Sequence, residues 1–354
     1  MKRNLIINIV VFCIAFGFIT GCDKSITAEC GGYIPIRFNT SIVQGEETKT
    51  PGVSGTQFAF DIYRYDNVNM RSAYNFALWI CNAGGITPHM TGMTNMECLY
   101  YAYQSGSSSL LIPSSNTSQT QQTYAKIGKG IDIYSFYPYV SCSDPHSVPF
   151  TTSEQKDWMW GEPVSYTPEQ TEAAAATGYI TTNLKFHHAM TCVEIWLDCR
   201  FPTAVDLTSI TLTDSKGKLV SKGTMDGTTG ELSGFTNVSS IKISGNNSYT
   251  NRLTNVEETG GRWQKYSFLM PEYSGFDGTN LVLSFVFDTN AAGRNTYTLS
   301  NKLIDEATGN EITIDTFETG CRYVYQLRLD NTLLIEPLHM FKPIWTTEEH
   351  TFSM

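Results

Sequence analysis

Short runs of β-branched and aromatic residues, each bounded by turn residues, recur along most of this chain of 354 residues. In the first run, 33–40, Ile34, Ile36 and Phe38 alternate with other residues, as expected of a strand with one buried face. Further runs lie at 57–66, 76–80, 97–104, 130–139, 209–214, 219–225, 241–244, 264–270, 281–288, 296–299 and 322–329. Because no helices alternate with these runs, the pattern predicts an all-β fold built as two antiparallel sandwiches.

Two segments depart from this pattern. In TPEQTEAAAAT, Thr167 can cap a helix, Pro168 suits its first turn, and Gln170 completes a capping box. One short helix is therefore predicted between two strands. The run 184–197 (LKFHHAMTCVEIWL) is the longest strand candidate, but its alternation slips near His188, which predicts a β-bulge.

The N-terminus carries an apolar run at 5–18, which follows two basic residues. This run of about 14 residues is shorter than the roughly 20 that a membrane-spanning helix needs. A basic start and a short apolar middle are typical of a secretory signal peptide. The run ends in ITGC, residues 19–22, which resembles the lipobox of bacterial lipoproteins. That resemblance implies cleavage before Cys22 and lipid attachment to it, which would tether the exported protein to a membrane surface.

The length of the chain exceeds what one compact core usually fills, so two domains are expected. The segment FPTAVD interrupts the strand pattern and places their boundary near residue 203, or up to about twenty residues earlier. The expected organisation is a signal peptide at 1–21, a lipidated tether at 22–32, an N-terminal sandwich at 33–203, a C-terminal sandwich at 204–334 and a tail at 335–354.

Charge and cysteine content argue against several classes of protein. The formal net charge of −10, without any basic stripe, argues against a nucleic-acid partner. Once Cys13 leaves with the signal and Cys22 carries lipid, the remaining cysteines are Cys30, Cys81, Cys98, Cys142, Cys192, Cys199 and Cys321. None forms a CxxC pair, so neither a zinc site nor a dense disulfide framework is expected. Most of these cysteines are expected to be small buried hydrophobic residues.

His187 and His188 are adjacent and, together with Cys192, suggest a metal site. Neighbouring side chains on a strand point to opposite faces, however, so the two imidazoles are not expected to share an ion. The sequence DGTTG at 226–230 resembles a fragment of a calcium loop, but its single carboxylate supplies too few ligands, and a turn is the better interpretation. No cofactor or metal is therefore expected.

Four carboxylates lie close in sequence to the two tryptophans of KDWMWGE: Asp157, Glu162, Glu169 and Glu172. Paired acids beside aromatic rings are typical of glycosidases. The first two acids flank a predicted strand, whereas the other two lie on the short helix, where acids near the N-terminus are favourable. A solvated surface explains them better. Because the chain also lacks the GxSxG, Walker and HExxH motifs, no enzymatic activity is expected.

Several of these features, taken in order, resemble the fimbrillin family, the pilus-building lipoproteins of Bacteroides and related bacteria, in the Mfa-like or fimbrillin-like branch. They are the lipobox, the first strand, the loop at 46–51, GIDIYSFYPY (130–139), KDWMWG (156–161), LKFHHAM followed by CVEIWL (184–197), DGTTGEL (226–232) and GCRYVYQLRL (320–329). The resemblance covers nearly the whole chain. It implies two tandem transthyretin-like β-sandwich domains.

The resemblance also implies a mechanism of assembly. A trypsin-like protease cuts after the first strand, that strand leaves, and a C-terminal strand of a neighbouring subunit fills the vacated groove. The displaced strand would carry Ile34, Ile36 and Phe38 out of the core. Because Pro35 cannot donate to a β-ladder, this strand is expected at a sheet edge, where a neighbour could replace it.

Two cleavage sites and one donor segment follow from that mechanism. Lys49, in the polar Gly-containing loop 41–56, is the preferred cleavage site, because exposed polar loops are accessible to proteases. Arg37 is the second candidate, although it lies within the first strand. The tail would supply the donor strand, with the groove-filling residues Leu338, Met340, Ile344 and Trp345. Pro337 and Pro343 limit how continuous that strand can be.

The expected partners are other fimbrial subunits, the outer membrane through the lipid on Cys22, a trypsin-like processing protease and a host or bacterial surface ligand. The expected location is the surface of the outer membrane, and the fimbria after processing. Two alternatives stay open at the level of sequence. One is a surface lipoprotein that does not polymerise and binds glycan through Trp158, Trp160 or Trp263. The other is an anchor subunit that keeps its lipid.

Overall fold

The computed structural model describes residues 32–43, 73–101, 110–113, 123–199, 205–244, 252–253, 264–287, 295–329 and 335–343. These residues form strands and one α-helix, α1, at Pro168–Ala174. The strands of the first part are β1 (Tyr33–Val43), β2 (Ala73–Asn82), β3 (Met96–Tyr101), β4 (Leu110–Pro113), β5 (Tyr124–Lys126), β6 (Ile131–Tyr137), β7 (Val148–Thr151), β8 (Met159–Gly161), β9 (Val164–Tyr166) and β10 (Ile180–His188).

The second part continues with strands alone. They are β11 (Thr191–Cys199), β12 (Val205–Asp214), β13 (Leu219–Met225), β14 (Leu232–Val238), β15 (Ser240–Ser244), β16 (Arg252–Leu253), β17 (Gln264–Met270), β18 (Tyr273–Ser274), β19 (Leu281–Phe287), β20 (Asn295–Thr298), β21 (Lys302–Asp305), β22 (Asn310–Thr313), β23 (Thr316–Phe317), β24 (Arg322–Leu329) and β25 (Ile335–Lys342). The prediction of an all-β fold is confirmed. Over the described ranges, no helix combines the length and apolar character that a membrane span requires.

The first part is organised around a nine-stranded sheet with the order β4-β3-β2-β6-β8-β10-β1-β5, in which β9 also pairs with β6. One face of this sheet encloses the first core, which includes Phe76, Ile133 and Phe186. The strict alternation of buried and more exposed residues along β10 shows how the period of two in the sequence produces that face. Most pairs in the sheet are antiparallel, but β1 and β10 are parallel.

Two sheets enclose the second core. One has the order β17-β11-β24-β25-β21-β22, and the other has the order β15-β12-β19-β20, with β16 also paired to β12. Their facing side chains include Val193, Leu212, Phe285 and Tyr325, so this part is a β-sandwich. The apolar residues of β11 belong to this core, although β11 precedes the predicted domain boundary near residue 203.

The predicted bulge within 184–197 is wrong, because the run is two strands in different sheets. β10 ends at His188 in the nine-stranded sheet, and β11 begins at Thr191 in the six-stranded sheet. Ala189 N–H donates to the Trp158 carbonyl at 2.7 Å, and Gly320 N–H donates to the Met190 carbonyl at 2.9 Å. Both connecting residues are buried, so the apolar run continues through the connection and conceals it.

A three-stranded sheet, with the order β14-β13-β7, joins the two parts. Its strand β7 comes from the first part, and the β13–β14 hairpin comes from the second. Phe150, Met225 and Trp79 meet in a third core between this sheet and the outer face of the nine-stranded sheet. In addition, the Gln155 side chain accepts from Leu269 N–H at 2.8 Å and donates to the Leu269 carbonyl at 3.3 Å, which caps the edge of β17.

The helix and most of the longer strands lie where the sequence predicts them. Thr167 Oγ1 accepts from Gln170 N–H at 3.3 Å, and Thr167 N–H donates to Gln170 Oε1 at 2.8 Å, so the capping box is confirmed. The sequence missed several strands of three or four residues, such as β5, β7 and β9, because they are too short to show alternation. The sequence predicts the segment of β25, which contains Pro337, as a donor strand, whereas the structure places it in the chain's own sheet. The predicted strand at 57–66 lies outside the described residues.

Candidate functional site

The first strand, β1, is integrated into the nine-stranded sheet. Residues from Ile36 to Val43 pair in parallel with Ile180 to His187 of β10. The side chains of Ile34, Ile36 and Phe38 are only 4 %, 6 % and 7 % exposed, and all three lie in the first core. Arg37, between them, faces the opposite side and is exposed. The structure thus brings together the three apolar residues that the sequence assigned to the displaced strand.

The prediction that β1 is the outermost strand of its sheet is wrong, because β5 lies outside it. Tyr33 to Pro35 pair with Lys126 to Tyr124, and Ile36 N–H donates to the Thr123 carbonyl at 2.8 Å. Backbone N–H groups alternate in direction along a strand, so the nitrogen of Pro35 faces the β10 side. The parallel ladder with β10 begins only at Ile36, and a proline is therefore tolerated at this inner position. Only the short β5 separates β1 from the edge.

Arg37, the second candidate cleavage site, is held on the surface of the sheet. Its guanidinium carbon lies 3.9 Å from the centroid of the Tyr179 ring, a cation–π contact. Its backbone pairs with Thr181 of β10. A protease needs an extended, unpaired segment, so cleavage here requires local opening of β1. Lys49, the preferred site, lies outside the described residues, as does Cys22.

Replacing Tyr179 by alanine should accelerate trypsin cleavage after Arg37 about two- to fivefold. An exposed cation–π contact contributes about 0.5–1 kcal/mol, and cleavage of a locally opened strand follows the population of the open form. Limited proteolysis followed by mass spectrometry of the fragments measures this rate. Cleavage after Lys49 in the same digest is the internal control. An unchanged rate after Arg37 would show that the ring does not hold the guanidinium.

The segment that the sequence assigned to donation lies partly in the chain's own sheet. Strand β25 is inserted between β24, to which it is antiparallel, and β21, to which it is parallel. Met340 packs against the second core, whereas the Leu338 side chain is 39 % exposed. Ile344 and Trp345 lie outside the described residues. Leu338 and Met340 can therefore reach a neighbouring subunit only if β25 leaves its place.

Side-chain and backbone contacts hold the C-terminal end of β25 in its sheet. Lys342 Nζ lies 2.6 Å from Glu318 Oε2, and this hydrogen bond lowers the pKa of Glu318 below its usual value. The Lys342 carbonyl accepts from Glu306 N–H at 3.1 Å. Phe341 is buried edge-on against Trp196, with 5.8 Å between ring centroids. Because Phe341 and Lys342 are consecutive, their side chains hold the strand at opposite faces of the sheet.

The adjacent histidines make separate contacts, as their positions on a strand predict. His187 Nε2 lies 2.9 Å from Glu162 Oε1, and its ring stacks on Trp160 with 4.6 Å between centroids. His188 is buried and its Nδ1 lies 2.6 Å from Asp157 Oδ2. Within the described part of the chain, no group of three His, Cys, Asp or Glu side chains could hold a metal ion.

The four carboxylates of the KDWMWGE region lie in different surroundings. Asp157 is buried beside His188, and Glu162 is on the surface between His187 and Lys185. Glu169 lies in the first turn of α1, where hydrogen bonding to Thr167 lowers the pKa of its carboxyl. Glu172 lies on the same helix. Asp157, Glu162 and Glu169 therefore each contact a different set of neighbouring residues.

The segment DGTTG forms a turn, as predicted. Gly230 N–H donates to the Asp226 carbonyl at 2.7 Å, and the Asp226 carboxylate accepts from Thr228 N–H at 2.8 Å. Gly230 has a φ of +75°, and a Cβ placed on it would lie 2.1 Å from two atoms of the Trp160 indole. The turn thus closes over Trp160. Two motifs that are 70 residues apart in the sequence, 160 and 230, meet here.

The two described tryptophans of the glycan-binding alternative, Trp158 and Trp160, pack against other residues of the chain. Trp158 is buried in the third core. Trp160 is covered by His187 and the Gly230 turn. Trp263 lies outside the described residues. The contacts of Trp158 and Trp160 are those of packing residues.

Five cysteines whose side chains the structure describes are free thiols. Cys81, Cys98 and Cys192 are buried, and Cys142 and Cys321 are partly buried. Burial raises the pKa of Cys81 and of Cys142 to about 11. A protonated, buried thiol is unreactive and packs as a small apolar group. This agrees with the role that the sequence predicts for most of them.

Comparison with known proteins identifies the family. The family model described as fimbrillin-like matches residues 68–338, which is more than half of the chain. No curated protein matches. A solved structure from Bacteroides uniformis, assigned to cell adhesion, is 10 % identical, with a TM-score of 0.53, and the match covers 89 % of this chain and 100 % of that one.

Two further solved structures have lower TM-scores. A Bacteroides vulgatus fimbrial protein is 16 % identical with a TM-score of 0.32, and the match covers 77 % of this chain and 93 % of that one. The tip fimbrial protein Mfa3 of Porphyromonas gingivalis is 12 % identical with a TM-score of 0.35, and the match covers 76 % of this chain and 94 % of that one. By the match of the family model to residues 68–338, this chain belongs to the fimbrillin-like family.

Proposed function

We propose that this protein is a structural subunit of a cell-surface fimbria, exported as a lipoprotein through Cys22 and polymerised when a strand of a neighbouring subunit replaces β1. Membership of the fimbrillin-like family supports a fimbrial role on the cell surface. We further propose that the protein is anchored by a lipid, cut by a protease and assembled by exchange of strands.

The observation that carries the proposal is the packing of β1. Its three apolar side chains are buried in the first core, and burying each such side chain contributes about 1.5–3 kcal/mol. Loss of β1 would open a groove walled by that core and edged by the eight residues of β10 that pair with β1. Since β5 pairs only with the first residues of β1, none of the described strands pairs with this edge of β1 over the rest of its length. A strand of another subunit is the ligand that fits the groove.

The donor strand of the proposal comes from the tail at 335–354, with Leu338, Met340, Ile344 and Trp345 as its candidate apolar residues. The place of β25 divides this segment in two. Either β25 is released from β24 and β21, or the donor is the segment after Pro343. Truncation after Pro343 separates the two routes, since it removes Ile344 and Trp345 but leaves β25 in its sheet. Polymerisation by the truncated subunit would assign donation to β25.

Replacing Lys49 by alanine should abolish incorporation into fibres and leave lipidated precursor. In the unaltered protein, N-terminal sequencing of purified fibres should return a chain that begins at Thr50, or at Phe38 if Arg37 is the site. Without cleavage β1 stays in the core, so the groove never opens. Lys24→Ala is the matched control, because cleavage there would remove the lipid without removing β1.

The outcome that contradicts this mechanism is a fibre built from subunits that still carry the whole of β1, Tyr33–Val43. Such a fibre would leave the family assignment untouched and remove strand exchange. Normal fibres from Lys49→Ala, with a chain that begins at Phe38, would instead move the cleavage to Arg37.

A further inference from the structure

His89 makes a side-chain contact that joins two distant strands of the nine-stranded sheet. It follows β2 in a loop that folds back on that strand: His89 N–H donates to the Ile80 carbonyl at 3.0 Å, and Asn82 Nδ2 donates to the Pro88 carbonyl at 3.2 Å. From this fixed backbone its ring reaches β5, where Lys126 N–H lies 2.8 Å from Nε2. In the order of the sheet, β6, β8, β10 and β1 lie between β2 and β5.

Because four strands separate β2 from β5 in the sheet, this contact requires the sheet to curve round. We call the junction between the β2–β3 loop and β5 the seam. Thr123 and Ile127 use their backbone groups to bond Ile36 and Gly32 on the β1 side. Because backbone groups alternate in direction, Lys126 N–H points away from β1, towards the outer edge of the sheet. Met93, from the His89 loop, lies in the same core as Ala125 of β5. Among the described residues, the seam thus includes apolar packing and the hydrogen bond from Lys126 N–H to His89.

The contact determines the protonation state of the ring. A backbone amide can only donate, so Nε2 must be unprotonated and must accept. The other nitrogen, Nδ1, then carries the proton and donates to Asn82 Oδ1, 3.1 Å away. A second proton on the ring would place two N–H groups against each other at 2.8 Å. The contact therefore exists only while His89 is neutral.

The charged surroundings of His89 favour the same state. Burial of the ring, and then the positive charge of Lys126 on β5, lower the pKa of His89 from its ordinary value of 6.5. The base of the loop is held by the carboxylate of Asp132 on β6, which accepts from Gly84 N–H at 2.7 Å and from the Ser165 hydroxyl at 2.6 Å. Asp132 is thus engaged at the base of the loop, and Ala83 N–H also bonds the Gly130 carbonyl there at 3.2 Å.

We propose that the hydrogen bond between Lys126 N–H and His89 is pH-sensitive: it joins the β2–β3 loop to β5 at neutral pH and breaks in acid. The opening is local, because the base of the loop keeps its bonds to β6. The sign follows from the lowered pKa: the contact contributes fully above the unfolded value of 6.5 and is lost as the pH falls through the lower value of the folded state.

Loss of the His89 contact leaves β5 paired with Tyr33 to Pro35 of β1 on its other side. Any role of this hydrogen bond in the departure of β1 would rest on the proposed function. The pH sensitivity itself depends on the geometry of His89 and Lys126, whether or not the subunit polymerises.

Hydrogen exchange of the segment that contains Lys126, measured at about pH 7.5 and about pH 5 and corrected for intrinsic exchange rates, tests the proposal. The protection of this amide should fall in acid, by about tenfold for each unit by which the folded pKa lies below the unfolded one. Amides of β24 in the same protein should keep their protection.

Two variants and one control make the test decisive. In His89→Gln the amide oxygen can accept from Lys126 N–H at either pH, so protection should not depend on pH. In His89→Ala protection should be low at both values. His146→Gln, at the distant turn beside Asp226, should behave as the unaltered protein does. Equal protection at both pH values in the unaltered protein, or a pH dependence that persists in His89→Gln, would overturn the proposal.

Discussion

Replacing Arg322 by methionine should lower the free energy of unfolding by about 3–5 kcal/mol, the usual cost of removing one partner of a buried ion pair. Arg322 Nη2 lies 2.6 Å from Glu194 Oε2, and their side chains are 10 % and 1 % exposed. The same oxygen accepts from Trp196 Nε1 at 2.5 Å. Without Arg322, the buried carboxylate of Glu194 loses a charged hydrogen-bond partner. Urea unfolding followed by circular dichroism measures the change.

Two further variants interpret that loss. Replacing both Glu194 and Arg322 by methionine removes the buried ion pair and should recover most of the stability, because apolar residues of similar volume substitute well for a buried ion pair. Lys302→Met, which breaks a pair that is 64 % and 60 % exposed, should cost no more than about 1 kcal/mol. A double variant no more stable than Arg322→Met would assign the loss to packing rather than to the unpaired carboxylate.

Replacing Gly230 by alanine should cost about 2–5 kcal/mol of folding stability. Part of the cost is conformational, since an alanine at a φ of +75° loses about 1–2 kcal/mol relative to glycine. The rest is steric, because the new Cβ would lie 2.1 Å from the Trp160 indole and displace it from its place on His187. Overpacking of this kind costs about 1–3 kcal/mol. Urea unfolding gives the energy, and tryptophan fluorescence reports the displacement.

Gly217→Ala is the matched control. Gly217 has a φ of +65° in the turn between β12 and β13, and a Cβ placed on it would meet nothing within 4 Å. It should therefore lose only the conformational part. Equal losses in the two variants would mean that Trp160 moves aside without cost, and that the turn at 226–230 is not held against the KDWMWG segment.

Whether a prediction from the sequence is confirmed depends on how far apart the interacting residues lie along the chain. The capping box of α1 involves Thr167 and Gln170, which are three residues apart, and it is confirmed. The opposite orientation of His187 and His188 follows from the period of two in a strand, and their separate partners agree with it. Both predictions rest on local backbone geometry, which neighbouring residues determine.

The predictions that failed concern what lies beside a strand. Pro35 suggested an edge, but the strand that covers the edge, β5, is 3 residues long and lies about 90 positions further along the chain. The slip near His188 suggested a bulge, but the strands on either side of it belong to different sheets. Neither partner leaves a signal near the residue in question.

Taken alone, the amino-acid sequence determines the all-β class, most of the longer strands, the apolar face of β1 and the capped helix, because alternation, turn residues and caps act over a few residues. Tertiary structure decides that β10 and β11 part into two sheets, that β7 pairs with β13, and that β25 completes the chain's own sheet. It also decides that His89 closes the seam at β5. Strand pairing consists of backbone hydrogen bonds, which are nearly the same for every residue, so its choice of partner depends on how whole faces pack.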